Sequence, residues 1–177
     1  MSQSYEIDMC HGPLFGKIIR FSIPLMLSGI LQLLFNAADI IVVGRFVGST
    51  ALAAVGSTSS LINLLINLFI GFSVGANVLV ARFHGAGRDD EVNETVHTAI
   101  TLSMISGIFL LIFGVTVTRT LLIWMGSPDD VLDQSSLYLK IYFLAMPATL
   151  LYNFGSSILR AVGDTKRPLF FLIISGV

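Results

Sequence analysis

In the stretch "QLLFNAADIIVVGRF", Gln32 to Phe46, a single carboxylate, Asp39, is set among Leu, Ile, Val and Phe. The nearest charged residue before it is Arg20 and the nearest after it is Arg45. An acid held away from water is costly as a bare anion, so it takes up a proton or holds a cation. Either event is usable chemistry: a proton site near neutral pH, or a seat for Na⁺ or an organic cation. Ser28, Gln32, Asn36 and Asp39 are spaced by four, four and three residues, which lines them along one face of a helix. Gln32 and Asn36 thereby bring carbonyl oxygens to help hold a cation. The plainer alternative is a structural carboxylate that reaches the interface or bonds a neighbouring helix.

Other polar side chains in apolar surroundings carry weaker signals. Asn153 either lines a cavity or bonds a backbone group. Lys140 either extends to the surface or pairs with Asp133, seven residues earlier on the same helical face, with Asp39 as a further possible partner. Asn63 and Asn67 are suited equally to interhelical hydrogen bonds and to lining a pore. Gly56, Ser60, Asn63, Asn67, Gly71 and Gly75 share one face, and "GFSVG" at 71–75 has the spacing of a tight helix contact. Pro24 and Pro147 mark kinks. No Ser/His/Asp or Cys/His set is present, and the three histidines lack metal-ligand spacing, so neither an enzyme nor a metal centre is expected beyond a possible Na⁺ at Asp39. "GAG" at 85–87 lacks the third glycine and preceding strand of a nucleotide loop and reads as a turn.

The elements that must position these groups are apolar helices. The chain is 54% hydrophobic and 12% charged, against about 25% charged in soluble domains. Residues 21–38, 46–81, 95–118 and 141–159 contain no Asp, Glu, Lys or Arg. A helix needs roughly 20 apolar residues to cross a bilayer, so an all-α integral membrane protein is expected. Five helices follow: 16–43, 51–81, 92–118, 129–159 and a fifth from Pro168 to 177, preceded by a polar tail over 1–15. With that tail in the cytoplasm, the inner flanks hold Lys17, Arg20, Arg82, Arg88, Arg160, Lys166 and Arg167, and the outer flanks hold Arg45 and Arg119. That asymmetry fits the positive-inside rule. "GSPDDV" at 126–131 places Ser127 as a helix cap, Pro128 at the first helical position and two acids in the first turn. "AVGDTKRP" at 161–168 repeats the logic, with a turn at Gly163. The tail lacks the basic start and cleavage site of a signal peptide. The single cysteine, Cys10, excludes an internal disulfide. A net charge of −1 without a basic arm gives no support to nucleic-acid binding.

Four stretches carry a resemblance: "GPLFGKIIRFSIPLMLSGILQLLFNAADIIVVGRFVGSTALAAVG" (12–56), "GANVLVARFHGAGRDDE" (75–91), "YLKIYFLAMP" (138–147) and "LRAVGDTKRP" (159–168). In this order and spacing the chain resembles the multidrug and toxic compound extrusion (MATE) transporters. The resemblance implies twelve helices in two six-helix lobes around a cavity, and export of cationic drugs or metabolites driven by inward H⁺ or Na⁺, with no cofactor. It implies residence in a bacterial cytoplasmic membrane, in contact with lipid. The family's cation-coupling acid falls on Asp39, with Asn36 beside it, and Gly44, Gly48 and Gly163 match structural loop glycines. On this comparison the chain is expected to be an incomplete first lobe that needs a second lobe to transport. A lipid-linked or polysaccharide flippase of the same superfamily and a non-transporting membrane fragment are the rival expectations.

Overall fold

The computed structural model describes residue 7, residue 12 and residues 14–175. Cys10, the end of the fifth helix at 176–177 and most of the tail expected at 1–15 lie outside the described residues. Helix α1 spans Leu14–Val42 and runs directly into a π-turn over Val43–Val47. Helices α2 (Ser49–Gly85), α3 (Asp89–Trp124), α4 (Asp129–Ala161) and α5 (Lys166–Ser175) follow. No strand occurs among the described residues.

Most helices outrun their apolar stretches. Helix α2 ends four residues beyond the expected Ala81, and α3 begins at Asp89 rather than Val92 and ends at Trp124 rather than Thr118. The added turns are made by residues that suit helix termini, with Arg82 and His84 in the last turn of α2 and Asp89, Asp90 and Glu91 in the first turn of α3. Arg88 pairs with Glu91 across that first turn. Asp129 and Asp130 open α4, as their position after Pro128 requires.

Three helical stretches are long and apolar enough to cross a membrane: Leu14–Phe46, Leu52–Gly85 and Asp89–Trp124. Helix α4 has the length but not the apolarity, and α5 has 10 residues. The reason for α4 is packing. Leu139, Phe143, Met146, Leu150 and Phe154, spaced by four, three, four and four, are almost wholly buried against protein. A helix enclosed in this way can carry Ser135, Ser136, Ser156 and Ser157 without exposing them to lipid.

The chain divides into two compact units. One contains the described residues up to Asn36, Phe72–Ile100 and those from Asn153 onward; the other contains Ala37–Gly71 and Thr101–Tyr152. In the second, Ile62, Leu110, Leu122, Leu132, Leu139, Phe143, Met146 and Leu150 form one apolar cluster. Small residues bring α3 onto α4 there. A Cβ on Gly107 would stand 2.6 Å from the Cα of Pro147, and one on Gly114 would overlap the Phe143 ring. The glycines expected to make tight contacts, Gly56, Gly71 and Gly75, face open space instead. Spacing identified a small-residue stripe on α2, but the close approach uses α3.

In the first unit the α4–α5 turn is buried. Gly163 has φ +87°, and a Cβ there would lie 2.5 Å from the Ile7 carbonyl oxygen. The Ile7 N–H donates to the Gly163 carbonyl at 3.3 Å. Asp164 begins the next helix earlier than the expected Pro168: its Oδ1 accepts from the N–H groups of Lys166 and Arg167, each at 3.1 Å. Its other oxygen faces the Arg167 guanidinium at 3.1 Å.

Candidate functional site

Helix α1 is the least enclosed of the three spans, with 6% of its apolar window buried inside the chain. Gln32, Asn36 and Asp39 are all exposed on it, so the chain's own residues do not enclose the acid. Ser28 leaves the polar stripe. It is buried, and its hydroxyl donates to the Pro24 carbonyl one turn earlier at 2.9 Å. Such back-bonding satisfies a hydroxyl locally and favours bending of the helix; α1 continues through Pro24 without a break.

Asp39 belongs to the same compact unit as residues 129–152 of α4, and its electrostatic neighbour there is Tyr138. Tyr138 and Tyr142, one turn apart, are half-buried and pack against the apolar cluster. A carboxylate within electrostatic range of a phenol resembles a seat for a proton or an organic cation: the acid supplies charge, the hydroxyl a donor, the ring a polarizable wall. Neither tyrosine was singled out by sequence reasoning. The available signal was their i, i+4 spacing in "YLKIYF", which places both on one face of α4. The pairings expected for Lys140 are replaced. Asp133 is paired with Arg119 at 3.6 Å, and Lys140 is exposed.

One helical turn beyond Asp39, the Gly48 N–H donates to the Val43 carbonyl at 3.3 Å, a five-residue step that defines the π-turn. Gly44, expected as a loop glycine, lies inside this turn, whereas Gly48 takes a positive φ of 104°. Arg45 is exposed on it.

The other candidates lie in the first unit. Gln32 and Asn36 are on α1, and Asn153 is half-buried on α4. Asn67 donates to the Asn63 carbonyl of its own helix at 2.8 Å, and both side chains are exposed. That bond within α2 takes the place of an interhelical one for Asn67. Among the described residues no group of His, Cys, Asp and Glu has the arrangement of a metal centre.

The MatE family model matches residues 24–177. The chain is 36% identical over 157 residues to a probable multidrug resistance protein, YoeA, of Bacillus subtilis, covering 89% of this chain and 34% of that protein. It is 24% identical over 163 residues to the multidrug export protein MepA of Staphylococcus aureus, covering 92% of this chain and 36% of that one. A solved structure of a multidrug resistance MATE family transporter in an outward-facing conformation superposes with a TM-score of 0.86 at 26% identity, over 99% of this chain and 38% of that chain. A MOP-superfamily transporter from Pyrococcus furiosus superposes with a TM-score of 0.84 at 28% identity, over 90% of this chain and 35% of that one. The chain thus spans little more than a third of the length of the relatives it matches. The family match over residues 24–177 and the superposition of the helical backbone agree, and this chain belongs to the MATE family of membrane transporters.

Proposed function

We propose that this chain is the N-terminal part of a secondary antiporter that exports cationic drugs or related xenobiotics in exchange for H⁺ or Na⁺. The observation that carries this is Asp39, a lone carboxylate on an apolar membrane-crossing helix, within electrostatic range of Tyr138. An acid in that position alternates between two occupants. When it binds the coupling ion it no longer attracts a cationic substrate, and when the ion leaves, the restored charge does. Gln32 and Asn36 on the same helix carry amide oxygens and donors suited to such an occupant, and Asn153 on α4 is a separate candidate contact for the substrate. No organic cofactor enters this cycle. The names of the relatives, a multidrug resistance protein and a multidrug export protein, support drugs as the substrate class.

The same reading makes residues 1–15 a cytoplasmic tail and 16–177 part of a first lobe, in a bacterial cytoplasmic membrane with the N-terminus inside. Lys17, Arg20, Arg82, Arg88, Arg160, Lys166 and Arg167 on one flank against Arg45 and Arg119 on the other support that orientation. Alternating access requires a second half to move against the first, so the remaining helices are a required partner.

A lipid-linked or polysaccharide flippase of the same superfamily is the second reading. It is favoured by the similarity to the Pyrococcus furiosus transporter, which is described as having a binding pocket of reversed polarity and a different function. One experiment separates the two. The full-length transporter with Asp39→Asn is expressed in a drug-sensitive host and in everted vesicles. Gradient-driven drug export should fall to background while membrane insertion is retained. Unchanged drug resistance in that variant would remove the coupling role of Asp39, and drug tolerance that does not change when the whole transporter is deleted would remove the drug-export reading in favour of the flippase.

A further inference from the structure

Within the first unit, α4 is joined to α2 by two hydrogen bonds of opposite sense that meet at one residue. The Ser157 hydroxyl donates to the Ser73 carbonyl at 2.9 Å, and the Ser157 carbonyl accepts from the Asn77 side-chain amide at 2.6 Å. Ser157 and Ser73 are 7% and 4% exposed, and Asn77 is half-buried. Carbonyls inside a helix already serve the N–H four residues on, so these bonds occupy second lone pairs. Because the bonds reach α2 at Ser73 and Asn77, one turn apart, they hold the height of Ser157 against α2. A slide of one residue along the axis, about 1.5 Å, breaks both. Asn153 stands one turn before Ser157 on nearly the same face of the same helix. Whatever fixes Ser157 therefore fixes the height of Asn153 and the direction in which its side chain leaves the helix.

We propose that Ser157 and Asn77 are positioning residues for Asn153: the Ser73–Ser157–Asn77 junction holds the inner half of α4 in register, so that the Asn153 amide meets the transported organic cation at a constant height and angle. The assignment rests on the reading of Asn153 as a substrate-binding residue. A junction that served packing alone would change how much transporter inserts, or its maximal rate. A positioning junction changes apparent affinity, and does so only through Asn153.

The test uses ethidium transport by the full-length transporter in everted membrane vesicles, with rates normalised to inserted protein. Asn153→Ala should raise KM by about fivefold, the factor expected from one lost hydrogen bond. Ser157→Ala and Asn77→Leu should each raise KM by a similar factor with the maximal rate unchanged. Ser157→Thr, which keeps the hydroxyl, should restore the parent KM. Ser157→Ala added to Asn153→Ala should raise KM no further. The proposal is overturned if Asn153→Ala raises KM while Ser157→Ala and Asn77→Leu do not, or if the effects of Ser157→Ala and Asn153→Ala multiply. If Asn153→Ala leaves KM unchanged, the substrate-binding reading of Asn153 fails first and the positioning role fails with it. Asn77→Leu leaves the Ser157 hydroxyl in place, so it keeps the test open should Ser157→Ala fail to insert.

Discussion

Replacing Gly107 with alanine tests the account of how α3 meets α4. The added Cβ would stand 2.6 Å from the Cα, 3.2 Å from the Cβ and 3.3 Å from the nitrogen of Pro147. Carbon atoms pack at about 3.5 Å, so the helices must part by roughly 0.9 Å at this level. No flexible side-chain end can yield, because the opposing atoms belong to the backbone and ring of a proline. Parting there also loosens the neighbouring Gly114–Phe143 contact, where Phe143 is buried in the apolar cluster. Overpacking of this kind costs about 1–3 kcal/mol, offset by up to about 1 kcal/mol from the better helix propensity of alanine. The expected net loss is about 1–2 kcal/mol. The control is Gly75→Ala on α2, where a Cβ meets nothing within 4 Å, so stability should hold or rise by up to about 1 kcal/mol. Pro147→Ala should not rescue Gly107→Ala, because the closest atom, the Cα, remains. The assay is reversible unfolding in mixed micelles, followed by far-UV circular dichroism. A Gly107→Ala chain as stable as the parent, or a Gly75→Ala chain as damaged as Gly107→Ala, would refute the packing argument.

Three further outcomes follow from the same structure. Gly163→Ala should destabilise the α4–α5 turn by about 1–3 kcal/mol, since an alanine must adopt a positive φ and its Cβ meets the Ile7 carbonyl; increased proteolytic cutting near residue 163 is the readout. Asp164→Ala should cost about 1–2 kcal/mol through loss of the α5 cap, whereas Asp164→Asn, which still caps, should retain most of the stability; the same unfolding assay ranks the two. Removing the exposed Arg119–Asp133 pair with Asp133→Asn should change stability by less than about 1 kcal/mol, and a larger loss would mean that the pair is held more tightly than its 3.6 Å separation indicates.

The sequence by itself determined the material and the anomaly. Long stretches without Asp, Glu, Lys or Arg leave a chain no stable state but apolar helices, and they make Asp39 conspicuous because nothing else charged shares its helix centre. Turns at Gly163 and before Asp129 were legible because capping acts over a few residues. Only the tertiary structure decided which faces meet. Spacing placed small residues on α2, yet the close approach is at Gly107 and Gly114 on α3. Spacing offered Lys140 to Asp133, yet Arg119 of another helix pairs with that acid. The neighbour of Asp39 is Tyr138, and the partners of Ser157 are on α2, each far away along the chain. The physical reason is that periodicity fixes the angle of a side chain about its own helix axis. The rotation of one helix against the next is set by packing between surfaces distant in sequence, which a single helix does not record.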